Sequence, residues 1–163
     1  MNRALLRFTC SLALLSVFGC GGKAPKILPV KGTIQLAGVD LKGLQVIFSP
    51  KITASKNGET PTVGTAAVGT IAADGTFQLS TTKPNDGAAV GKYVAMIGPP
   101  SAAPGDTSID LNRLKGIPET YLDAALSPLE AEVKESGSND FKWQLDPKGR
   151  QSTDSTSLST SKP

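Results

Sequence analysis

The chain of 163 residues contains no histidine. That absence removes the commonest general base, the commonest zinc ligand and every serine or cysteine triad that relies on imidazole. It also removes the usual switch of charge near neutral pH. Cysteine is almost as scarce, with only Cys10 and Cys20, both within the first twenty residues. Everything that follows must therefore be stable without a disulfide. Aromatic residues make up 5% of the chain, enough for the core of a small β domain but not for a large one. An excess of one charge is lacking too. Of the 17 basic residues, Arg3 and Arg7 precede Cys20, leaving 15 against 14 acids and a net of +1. No stretch clusters Lys and Arg, so nucleic acid is not an expected partner. No residue set calls for a metal or a cofactor. What is abundant is Gly (17) and Pro (12), which predicts frequent turns and no long helix.

The first nineteen residues have a distinct character. Met1 to Arg7 carry two positive charges and no acid, and Phe8 to Phe18 form an apolar run that ends at Gly19 and Cys20. A basic start, a short apolar stretch and a small residue at the cut predict a secretory signal peptide over residues 1–19. The run is too short to span a bilayer, which takes about 20 apolar residues. Val17-Phe18-Gly19-Cys20 resembles the lipobox of bacterial lipoproteins, with an aliphatic residue three before the cysteine and a small one directly before it. The resemblance implies that Val17 and Gly19 are read by the signal peptidase. It further implies that Cys20 takes a diacylglycerol thioether and that residues 20–26 form a tether opening on Gly21-Gly22. One acyl chain gives only reversible membrane binding, with K of about 10⁴ M⁻¹, whereas two or more hold firmly. The partner implied is a membrane facing the periplasm or exterior. Gly21 stands where an Asp in such lipoproteins often signals inner-membrane retention, which implies the outer membrane.

From Ile27 the pattern has period two, the signature of half-buried strands. Val30, Ile34 and Leu36 share one face; Leu44, Val46 and Phe48 share another. Residues 65–72 read as a strand of small residues running into Asp74-Gly75, a strong hairpin signal, after which Phe77 and Leu79 face inward. In Lys92 to Gly98 both faces are apolar, which predicts a central strand. Leu129, Ala131 and Val133 alternate with charged residues, as do Phe141, Trp143 and Leu145, with turn residues 136–140 between the two sets. The only helical candidate is Pro118 to Ala125, and residues 101–116 read as a loop. The prediction is an all-β fold, a single seven-stranded antiparallel β-sandwich over residues 27–147. From Lys148 onward Ser, Thr, Lys and Asp dominate, which predicts a disordered tail over 148–163.

Val30-Lys31-Gly32-Thr33-Ile34, Asp74-Gly75-Thr76-Phe77-Gln78-Leu79 and Gly91-Lys92-Tyr93 together resemble the carboxypeptidase regulatory-like domain, a transthyretin-like (prealbumin-like) β-sandwich. Residues 117–121, 127–129 and 139–141 look like a bacterial lipoprotein group carrying it. The resemblance spans roughly Val30 to Leu145 and departs from the pattern at residues 37–40. It implies a folding and interaction module without catalysis, so no active-site residue is carried over and the chain is not expected to be an enzyme.

Several residues invite a sharper reading. Trp143 and Tyr121 could present rings for sugar or small-ligand stacking; core packing is the plainer expectation for Trp143. Asn85-Asp86-Gly87 could suggest calcium but lacks the repeated carboxylates such loops need, so a turn is expected. Glu130 and Glu132 lie on one strand face, as paired catalytic carboxylates might, but nothing else suggests a glycosidase cleft. The expected function is a membrane-tethered, non-catalytic interaction module contacting an envelope protein or glycan, with a carbohydrate-binding or small-ligand lipoprotein as the alternative.

Overall fold

A computed structural model describes residues 25–51, 64–101 and 110–149. The leader, Val17, Gly19, Cys20 and the expected tail from residue 150 lie outside the described residues. So do residues 52–63 and 102–109.

The regular structure of the described chain is almost entirely strand: β1 (Ile27–Leu28), β2 (Lys31–Leu36), β3 (Gln45–Pro50), β4 (Ala67–Thr70), β5 (Thr76–Gln78), β6 (Ala88–Ala89), β7 (Gly91–Gly98), β8 (Glu130–Val133) and β9 (Asp140–Leu145). They form a three-stranded sheet in the order β5-β2-β9, a four-stranded sheet in the order β4-β3-β7-β8, and a short pair, β1 with β6. No barrel closes. The fold is all-β, as the alternation predicts, and each of the seven expected strands is present. β7 lies between β3 and β8, the inner position its two apolar faces imply.

Inward residues of both larger sheets share one core. Ile34, Leu36, Phe77 and Leu145 come from the three-stranded sheet, and Val46, Phe48, Tyr93, Ala95 and Ile97 from the four-stranded one. Phe48 bridges them, its ring centroid 5.5 Å from Phe141 and 5.8 Å from Trp143. Gly32 sits in β2 with Phe77 on one side and Phe141 on the other in register. Its missing side chain leaves room for the Phe77 ring and the Phe141 backbone carbonyl.

Three expectations need correction. The sheets are not wholly antiparallel, because β9 runs parallel to β2 from Lys31↔Asp140 to Leu36↔Leu145. The turn after β8 does not return the chain beside β8. It crosses to the other sheet, where the chain joins the free side of β2 in the same direction. Asn139 shapes this crossing by mimicking a strand partner: its side-chain amide donates to the Lys134 carbonyl (3.1 Å) and accepts from the Lys134 N–H (3.0 Å).

The Asp74-Gly75 hairpin is also split. The Ala72 N–H donates to the Thr76 carbonyl, and Val68 and Ser80 exchange two bonds. Even so, β4 belongs to the four-stranded sheet and β5 to the three-stranded one, so the hairpin is a seam between sheets. Its turn is made as the sequence predicts: Gly75 has φ of 82°, and the Asp74 carboxylate accepts from the Thr76 N–H and hydroxyl.

Finally, the helical candidate contracts to a single 3-10 turn, Glu119–Tyr121, and a second one, Leu111–Leu114, stands in the expected loop. Neither segment is long enough to propagate an α-helix after paying for nucleation. In residues 37–40 the Val39 N–H donates to the Leu36 carbonyl with Gly38 at φ of 81°, an ordinary tight turn.

The strand directions define two ends. The chain enters at residue 25 beside the starts of β2, β7 and β9, and the loops 80–87 and 134–139 share that near end. The turns 37–43 and 72–75, both 3-10 turns and residues 146–149 lie toward the far end.

Candidate functional site

Tyr121 is 1% exposed, so it offers no ring face for stacking, and that reading of it is corrected. Its hydroxyl accepts from the Asp146 N–H at 3.1 Å and donates to the Asp146 carbonyl at 3.3 Å. The ring thereby ties the 3-10 turn to the exit of β9. Burial pushes its hydroxyl pKa up. The alternation Pro118-Glu119-Thr120-Tyr121 gives no period that would reveal this burial, because a 3-10 turn is too short to show one.

Trp143 faces inward between Phe77 (centroids 6.0 Å apart, planes 11° apart) and Phe141 (5.6 Å, 21°). Its ring is half-buried because β9 is the last strand of its sheet. Both stacked neighbours come from the chain itself.

Asn85-Asp86-Gly87 is a turn, as expected, held by the Asp86 carboxylate. Asp86 accepts from the N–H of Thr81 (2.6 Å), Thr82 (3.0 Å) and Lys83 (2.8 Å) and from the Thr82 hydroxyl (2.6 Å). Among the described residues no group of three Cys, Asp or Glu could hold a metal ion. The Thr81 N–H and the Thr82 hydroxyl, then the other amides, hold the Asp86 carboxyl well below its ordinary 3.8. A carboxyl lowered in the folded state contributes stability that is present above its unfolded pKa, about 4, and fades as pH falls toward the folded value. Asp86→Asn is therefore expected to lower the urea midpoint at pH 7, with the gap to the parent shrinking steadily below about pH 4. Midpoints measured from pH 7 to pH 2.5 check this; a gap that stays constant across the series rules the argument out.

Glu130 and Glu132 share the outer face of β8, but each has a basic neighbour. Glu130 pairs with Lys51, whose hydrogen bond and then charge hold its carboxyl below the usual range. Glu132 lies 3.7 Å from Lys134. Two solvent-facing carboxylates, each beside a lysine, match a solvated sheet edge.

One open feature escaped sequence reasoning. Where β4 and β5 diverge between their two bonded points, a polar groove of about 590 Å³ opens, lined among others by Gln45, Thr70, Thr76, Gln78, Ser80 and Ser101. No lining residue is charged. Its walls come from two sheets, so no local pattern could have announced it.

At the near end exposed ion pairs join Lys26 to Glu135 (4.0 Å), Lys31 to Asp140 (3.9 Å) and Lys134 to Glu132 (3.7 Å). Val90 is 38% exposed there, and its N–H donates to the Lys26 carbonyl. Among the described residues no helix is long and apolar enough to cross a membrane. No family model, curated protein or solved structure matches the chain.

Proposed function

We propose that the chain is an extracytoplasmic lipoprotein, held to a membrane through acylated Cys20, whose β domain is a non-catalytic interaction module. The sequence Val17-Phe18-Gly19-Cys20 behind a basic and apolar leader carries this reading. In the proposal the two larger sheets make one β-sandwich of the carboxypeptidase regulatory-like type. Phe48, in contact with rings of the opposite sheet, supports that view. The short span from Cys20 to β1 at Ile27 suits a tether. Loops at one end would contact an envelope protein or glycan.

The interaction-module reading is favoured over a ring-stacking carbohydrate site. Tyr121 is buried, and Trp143 is already stacked on two rings of its own chain. A catalytic role finds no support in the lack of histidine or in the lysine neighbours of Glu130 and Glu132.

The test is fractionation of the full chain made in a bacterium. The parent is expected in the membrane fraction, beginning at Cys20 and heavier than its polypeptide by the acyl groups. Cys20→Ser is expected in the soluble fraction or as unprocessed leader-bearing chain, because losing the acyl chains removes roughly 0.8 kcal/mol of membrane affinity per methylene. A parent chain recovered soluble, unacylated and starting at Met1 would sink the proposal.

A further inference from the structure

From the strand directions and the charge distribution we infer that the near end of the domain docks on an anionic lipid surface and that the far end points away from it. The inference rests on the proposed anchor at Cys20.

Reach is the first argument. Pro25 lies five positions after Cys20, and a fully extended chain over those five steps spans about 17 Å. The near-to-far length of the domain is set by β7, eight residues, or about 26 Å at the rise of a strand. With its N-terminal end fixed in the headgroups, the tether cannot bring the far end down to the bilayer. The domain can stand on its near end or lie on one side.

Charge selects between these. The described residues carry as many cations as carboxylates, eleven of each, but the strand register separates them. The near half holds seven lysines, among them Lys26, Lys31, Lys83 and Lys134, against five carboxylates, a net of +2. The far half holds four cations against six carboxylates, a net of −2. One near-end acid, Asp86, is engaged in capping its own loop. Lys23 adds a further positive charge to the tether itself. The near-end ion pairs are exposed, and such pairs hold their partners weakly, so the lysines can turn to phosphates. Juxtamembrane lysines gain from a negative leaflet, and that gain fades within a Debye length. The acidic far end is repelled by the same surface, which favours standing over lying.

The experiment uses the full, lipidated chain with one reporter thiol, Ser138→Cys at the near end or Ala73→Cys at the far end. Both positions are exposed. The chain is placed in vesicles of phosphatidylcholine or of phosphatidylcholine with phosphatidylglycerol, and labelling by a bulky maleimide is timed. On anionic vesicles labelling at Ser138→Cys is expected to slow severalfold relative to phosphatidylcholine, while Ala73→Cys labels at the same rate on both. High salt, or Lys31, Lys83 and Lys134 all changed to Glu, is expected to erase the difference while the chain stays bound through its lipid. Equal rates at both sites on anionic vesicles, or a stronger slowing at Ala73→Cys, would overturn the orientation alone. A chain that carries no lipid and leaves the vesicles would overturn the anchor and the orientation with it.

Discussion

Gly32→Ala is expected to destabilise the folded chain by about 3 kcal/mol, the upper end of what overpacking usually does. A Cβ at Gly32 would lie 2.2 Å from the Phe141 carbonyl oxygen and 2.7 Å from Cζ of Phe77. Neither neighbour can give easily. The carbonyl belongs to β9, whose parallel register on β2 runs over six residue pairs. The Phe77 ring is buried and stacked near Trp143. Backbone φ is not the issue, since Gly32 is not among the residues with positive φ; the conflict is one of space. The reading is a urea midpoint at unchanged m-value, which separates lost stability from a changed denatured state. Because Trp143 is the only tryptophan and lies against the affected strand pair, its fluorescence reports the same event. A midpoint matching the parent to within about 0.5 kcal/mol, the range of an ordinary surface change, would show that β9 does not lie on β2 in this register.

Phe48→Ala is expected to remove about 3–5 kcal/mol, as for other buried aromatic truncations. Phe48 is 0% exposed, and its ring lies 5.7 Å from Tyr93, 5.5 Å from Phe141 and 5.8 Å from Trp143. The side chain therefore joins the two larger sheets, and the cavity would open between them. Its loss is expected to loosen β9 first, since β9 is an outer strand with pairing on one side only. Hydrogen exchange should rise in Asp140–Leu145 before it rises in the doubly paired β3. The chain has no disulfide in the described region to limit the damage, and a small β core has little stability to spare. Uniform loss of protection across both sheets would mean that β9 is not the first strand to loosen, and a loss under about 1 kcal/mol would mean that the sheets do not depend on this ring.

Much of this could be read from the residues in order. The alternation Val30-x-x-x-Ile34-x-Leu36 and Leu44-x-Val46-x-Phe48 placed strands and chose their buried faces, because a pleated strand turns successive side chains to opposite sides. Both faces of residues 93–97 being apolar foretold an inner strand. Asp74-Gly75 marked its turn, because a glycine takes positive φ without strain. Trp143 was legible as an inward residue from its partners two positions away. Tyr121 was not, because a three-residue 3-10 turn carries no period, and only the meeting with Asp146 buries it.

What the sequence by itself determined is the all-β class, the identity of the strands, the exclusion of imidazole chemistry, and the residues 17–20 on which the proposed anchor stands. Those are local properties: a period, a dipeptide, a missing residue type. Only the tertiary structure decided that β9 lies parallel to β2, that β4 and β5 part to opposite sheets, that Gly32 must stay empty against the Phe77 ring and the Phe141 carbonyl, and that a small net positive charge falls in one half of the domain and a small net negative charge in the other. Each of these depends on which strand comes to lie beside which. A chain's alternation is the same whether its neighbour is parallel or antiparallel, near or far in sequence, so the choice is made by how the whole core closes.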